Sequence, residues 1–178
     1  MRDKKVIFIT QTALFLALLV TLQYVTSAMG QQLVTGSVVN FVLIAACLTA
    51  GYKSGLVVAL VSPFLARLFG IGPQLIQIVP VIAVANVVYV TCYSAMKFGK
   101  NEKFKYIKWP LFIVLGAVLK YLVLSLGVTK VVLPLCNAPA PMVSKLAVMF
   151  GINQLITALI GGVLAAMVVP LVKRGIKR

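Results

Sequence analysis

Lys120 stands near the middle of the apolar run Trp109–Leu126 (WPLFIVLGAVLKYLVLSL), and no acidic residue lies in any apolar run to pair with it. The chain has two acids, Asp3 and Glu102, both in polar, lysine-flanked stretches. A charged side chain at the centre of a bilayer costs about 3 kcal/mol even on the most lenient scales. Such a lysine must be neutral, be solvated by water and backbone carbonyls, or be reserved for an anion that arrives from outside. The third option makes Lys120 a binding residue. The chemistry on offer is capture rather than catalysis. There is no histidine, no Asp or Glu inside an apolar segment, and no Ser or Cys beside a plausible base. Cys47, Cys92 and Cys136 fall in three separate segments without metal-ligand spacing, so neither a metal, a cofactor nor a disulfide framework is expected.

A second set of polar residues shares the depth of Lys120. With a helical rise of 1.5 Å per residue, Asn86 lies roughly 18 Å from Gln74, Lys120 roughly 10 Å from Gly127, and Asn153 roughly 13 Å from Ser144. These three fall in one layer, with Gln154, Tyr121 and Tyr89 in or near it. Arg67, Gln77 and Lys145 lie above that layer, toward one surface. A tapering pocket built from the fourth, fifth and sixth segments would use Lys120, Asn86, Asn153, Gln154, Arg67, Gln77, Lys145 and Tyr121 as substrate-binding residues. Each has a plainer use. Asn and Gln bond helices together inside membranes at about 0.6 kcal/mol on average. Arg67 and Lys145 can reach up to lipid headgroups, and the tyrosines can simply pack. Lys120 differs because its plainer use is costly.

The sign of these groups is informative. Every ionisable group placed to face the pocket is basic. A cation would meet only repulsion, whereas a carboxylate would gain charge-assisted hydrogen bonds. Intramembrane acids are the usual proton or sodium relays. Their absence argues against such a relay, so the energy for any transport is expected to come from elsewhere.

The elements that position these residues are membrane helices. Of 178 residues 62% are hydrophobic, against about 45–50% in soluble domains. A span needs about 20 apolar residues, and six candidates appear: Val6–Val25, Val34–Tyr52, the short Gly55–Phe69, Leu75–Met96, Trp109–Leu126 and the long Met142–Val172. The stretch Val6–Val25 is longer than a signal-peptide core and is read as a retained span. The expected fold is all-α: one six-helix transmembrane substrate-binding domain over residues 1–178, with no soluble module.

The net charge of +15 would suggest nucleic acid in a soluble protein. Here it orients the chain instead. Thirteen of the 17 basic residues fall on one side of a six-span topology: Arg2, Lys4, Lys5, Lys53, Lys97, Lys100, Lys103, Lys105, Lys108, Lys173, Arg174, Lys177 and Arg178. The positive-inside rule makes that side, and both termini, cytoplasmic. The inner connections are a tight Lys53-Ser54 turn and one basic loop. The outer ones are Thr26–Leu33, Gly70–Gln74 and Gly127–Pro141, rich in Gly, Pro and amide side chains, as turns and lids are.

Segment one carries Ala13-Leu14-Phe15-Leu16-Ala17 near its cytoplasmic end. Small residues at i and i+4 share a helix face and let a second helix approach closely. With six helices, both ends inside and an outward pocket, this Ala-x-x-x-Ala pattern resembles the substrate-binding (S) subunit of an energy-coupling factor (ECF) vitamin transporter. The resemblance implies a multi-pass protein of the bacterial cell membrane that captures a vitamin-like micronutrient from outside and uses the first outer loop as a lid. It also implies that Ala13 and Ala17 meet a transmembrane coupling subunit, that two ATPase subunits supply the energy, and that the S subunit topples in the bilayer to release its cargo. No one vitamin's signature matches position by position. Trp109, the sole tryptophan, falls at the cytoplasmic edge, so the pocket has no Trp platform for a flat ring. The basic lining favours a small carboxylate, pantothenate first, with folate, niacin and biotin behind it. An autonomous secondary transporter or channel for an organic anion is the alternative, but no coupling residue or repeat-built pathway is visible.

Overall fold

The structure is a computed structural model that describes residues 3–73, 75–96, 105–136 and 139–176, with backbone only for 105–108 and 176. Arg2, Gln74, Lys97, Lys100, Glu102, Lys103, Lys177 and Arg178 lie outside the described residues, as do the side chains of Lys105 and Lys108. The chain runs α1 (Lys4–Ala28), α2 (Gln32–Ala45) with a π-helical end at Ala46–Ala50, α3 (Tyr52–Leu68), α4 (Ile78–Ala95), α5 (Lys105–Leu126), a π-helical stretch Gly127–Val132, a short α6 (Leu133–Leu135), α7 (Ala140–Met149) and α8 (Ile152–Ile176). No strand occurs among the described residues.

The longer helices close into a ring in the order α1–α3–α4–α5–α8–α2 and back to α1. Two buried clusters fill the middle. One joins Leu19, Val42, Leu43, Cys47, Val58 and Val90; the other joins Ile44, Tyr89, Tyr93, Ala117, Ala158 and Ala165. A third, with Ile78, Leu124, Val128, Leu146 and Phe150, ties α7 to the end of the bundle. Outside, large apolar side chains stay uncovered along α1 (Ile9, Leu14, Val25), α5 (Leu111, Val114, Leu122) and α8 (Val163, Met167, Leu171). A soluble monomer rarely shows so continuous an apolar surface. A helix in lipid can, because its backbone polar groups are satisfied within the helix.

Five stretches have the length and apolarity to cross a membrane: Lys4–Ala28, Gln32–Ala50, Ile78–Ala95, Trp109–Leu135 and Ala140–Gly175. The sixth expected span, α3, has 17 residues. At 1.5 Å per residue it measures about 26 Å, slightly short of a hydrocarbon core of about 30 Å.

Four local expectations need correction. The expected long segment Met142–Val172 is two helices, broken at Phe150-Gly151 between α7 and α8. The expected irregular loop Gly127–Pro141 is largely helical, because α5 continues through the π-helical stretch to Leu135. Pro141 marks a helix start rather than loop: it occupies the first turn of α7, where the missing N–H has no helical partner to lose, while Pro134 falls where the π-helical stretch passes into α6. The inner turn falls at Gly51 rather than Lys53-Ser54. Gly51 has φ +110°, a conformation that favours glycine, and α3 has already begun at Tyr52. Finally, the first connection is shorter than Thr26–Leu33, because α1 runs to Ala28 and α2 begins at Gln32.

The contact between α2 and α8 is close because of Gly161. A Cβ there would stand 2.5 Å from Asn40 Cβ and 2.8 Å from the Ser37 carbonyl oxygen. Only glycine leaves room for Asn40, which the site needs.

Candidate ligand cavity

A cavity of about 290 Å3 opens at the end of the bundle where the α1–α2, α3–α4 and α7–α8 connections gather. The basic residues that are described at the opposite end include Lys4, Lys5, Lys53, Lys173 and Arg174. The cavity floor is polar and the walls are mixed. Val39 of α2, Ile82 of α4, Leu124 of α5 and Phe150 supply apolar surface.

At the floor, four helices each contribute one buried polar side chain. Lys120 of α5 is 3% exposed, and Asn40 of α2, Asn86 of α4 and Thr157 of α8 are each 1% exposed. Lys120 Nζ donates to Asn40 Oδ1 at 2.5 Å and to Asn86 Oδ1 at 2.6 Å. Asn40 Nδ2 in turn donates to Thr157 Oγ1 at 3.4 Å. The amide orientations follow from the chemistry. An ammonium only donates, so both asparagines must turn their oxygens toward it. Lys120 Nζ also lies 5.1 Å from the centroid of the Tyr89 ring, within cation–π range. Tyr89 is fixed there by its hydroxyl, which donates to the Ala158 carbonyl at 2.8 Å.

Two of the expectations for Lys120 therefore combine. Carbonyl oxygens do solvate it, but they are side-chain amides, and the lysine still lines the cavity. The amides offset part of the desolvation without supplying a counter-charge. Asp3, the only described acid, is exposed at the N-cap of α1, far along the chain from the floor residues.

At the mouth the lining changes to Gln23, Ser27, Gln31, Gln32, Thr35 and Gln154. Gln32 Nε2 donates to the Met149 carbonyl at 3.0 Å, and Gln154 Nε2 donates to the same carbonyl at 3.3 Å. These bonds fasten the start of α2 and the start of α8 to the break between α7 and α8.

Of the eight expected binding residues, Lys120, Asn86 and Gln154 line this cavity. Asn153 and Tyr121 are half-buried neighbours of lining residues but are not among them. Arg67, half-buried near the end of α3, and Gln77, exposed before α4, are not among them either. Lys145 is exposed on α7, in a separate shallow depression with Gln32, Ser144, Val148 and Met149. The cavity also draws on α1 and α2, so it is not confined to the fourth, fifth and sixth segments. Asn40 is the residue that sequence reasoning overlooked. The signal was present, since it is the one amide inside Val34–Tyr52, just as Asn86 interrupts Leu75–Met96. Ala13 and Ala17 are exposed on α1.

The described residues form an apolar, multi-helix bundle around a cavity with a buried lysine at its floor. The chain belongs to the family described as "ECF transporter, substrate-specific component", which matches residues 8–173, nearly its full length. Neither the comparison with curated proteins nor that with solved structures gave a match. Members of this family are substrate-binding membrane subunits of ECF transporters rather than enzymes, and they work with coupling and ATPase components.

Proposed function

We propose that this chain captures a carboxylate-bearing, vitamin-like micronutrient and delivers it through a transmembrane coupling subunit driven by two ATPase subunits. The cavity mouth faces outside, and both termini face the cytoplasm of a bacterial cell. One observation carries the ligand's charge: Lys120 reaches the cavity floor with amide oxygens, not carboxylates, as its neighbours. A cation brought to that floor would be repelled, while an anion would complete the electrostatics in a site of low dielectric. Lys120, Asn86 and Gln154 are the binding residues that both the sequence pattern and the cavity support. The volume favours a small acid. It corresponds to about ten waters at ~30 Å3 each, which suits pantothenate, niacin or biotin better than folate.

The exposed face of α1 at Ala13 and Ala17 is the proposed contact for the coupling subunit. Ala17→Trp is expected to leave ligand binding by the purified protein within about twofold of wild type while abolishing ATP-dependent uptake in cells carrying the complete transporter. Titration calorimetry and radiolabelled pantothenate uptake measure the two halves separately. Uptake by the purified chain alone in liposomes would contradict this division of labour and favour an autonomous carrier.

A further inference from the structure

The cavity has a basic end and a neutral polar end, and the difference follows from the residues that line it and the bonds they already make. At the floor, an ammonium has three N–H donors, and two are spent on Asn40 and Asn86. The third has no hydrogen-bond acceptor among the described residues. Asn86 has committed its oxygen to Lys120, so its Nδ2 is the part left over, and that group has no partner among the described residues. Asn40 Nδ2 has one of its two N–H groups on Thr157. The floor therefore offers one ammonium N–H and one amide NH2, two donors from neighbouring groups, which match the two oxygens of a carboxylate.

The mouth is neutral. Gln32 and Gln154 each spend one of their two Nε2 N–H groups on the Met149 carbonyl. A carbonyl cannot donate, so these amides cannot be turned the other way round. Each retains its oxygen and one N–H. A neutral group that both donates and accepts, a hydroxyl or an amide, fits that end, whereas a second carboxylate would meet no positive charge among the lining residues there. Along α2 the two ends are about 12 Å apart, eight residues from Asn40 to Gln32, and along α8 about 5 Å, three residues from Thr157 to Gln154. Between them lie Val39, Ile82 and Leu124, aliphatic side chains without an aromatic pair to sandwich a flat ring.

We infer that the ligand is a two-ended aliphatic acid, bound with its carboxylate on Lys120 and Asn86 and with a hydroxyl- or amide-bearing end against Gln32 and Gln154. This rests on the anion-binding reading and adds orientation, length and the chemistry of the far end.

The test is a calorimetric titration of the detergent-solubilised full chain with four probes. Pantothenate carries a carboxylate at one end and hydroxyls at the other. Panthenol keeps the hydroxyls and replaces the carboxylate by an alcohol. Octanoate keeps the carboxylate on a chain of similar length without far-end donors. Nicotinate is a short aromatic acid. Pantothenate is expected to bind at least tenfold more tightly than each of the other three. In Gln154→Leu its margin over octanoate is expected to shrink at least threefold. Octanoate or nicotinate matching pantothenate would overturn the two-ended ligand and leave the anion reading standing. Panthenol matching pantothenate would overturn the anion reading itself. Failure of all four to bind would overturn the inference, as would an unchanged margin in Gln154→Leu.

Discussion

Lys120→Met is expected to weaken binding of a carboxylate ligand by about 2–5 kcal/mol, the usual cost of removing one partner of a buried, hydrogen-bonded charge pair. At 1.4 kcal/mol per decade this is roughly thirtyfold or more. Methionine keeps length and apolar volume, so the α5 packing around Ala117 and Leu124 stays filled. What disappears is the only positive charge among the cavity-lining residues. The substitution also leaves Asn40 Oδ1 and Asn86 Oδ1 without their donor. Each orphaned buried acceptor costs about 1–3 kcal/mol where water cannot replace the donor, so a lower melting temperature is expected together with the lost affinity. Isothermal titration and a thermal melt in detergent read the two effects. Unchanged carboxylate affinity would remove Lys120 from the site.

Asn86→Asp separates charge from architecture, and its expected effect on binding is as large. The side chain keeps its shape, and its oxygen already sits 2.6 Å from Lys120 Nζ. An ionised aspartate there becomes the counter-ion that the apolar segments otherwise lack. The floor falls from one positive charge to none, and the Nδ2 donor is lost with it. Carboxylate binding is expected to fall at least thirtyfold while the fold melts no earlier than that of Lys120→Met, because Lys120 keeps an acceptor on that side. An uncharged ligand of the same shape should lose much less. The pair of affinities, carboxylate against its neutral analogue, is the measurement. Equal losses for both would mean that the floor reads shape rather than charge.

How far the sequence could reach is clearest at α8 and α5. Counting residues gives depth, and depth put Lys120, Asn86, Asn153 and Gln154 in one layer. Counting does not give direction around a helix. Consecutive residues differ by about 100°, and that angle puts Gln154 on the cavity while Asn153 is not among its lining residues. Lys120 and Tyr121 divide in the same way. Nor does the order of segments say which helices meet. The ring places α2 between α1 and α8, and this arrangement brings Asn40 to Lys120 across 80 residues of chain. The approach also depends on the missing side chain of Gly161. A glycine inside an apolar helix reads equally well as a lipid-facing small residue. The apolar segments were legible because the bilayer imposes length and composition directly. The outer connections were less so: proline and glycine mark breaks, but whether a proline ends one helix or begins the next depends on backbone geometry that composition does not carry.

The ammonium at the cavity floor is expected to hold a negatively charged guest. Native mass spectrometry of the gently purified full chain tests it most directly, with wild type beside Lys120→Met. The expected result is a bound small molecule that is released from wild type, ionises as an organic anion, and is absent or strongly depleted in the variant. A cationic or neutral molecule released from wild type, or the same anion held at equal occupancy by both proteins, would contradict it.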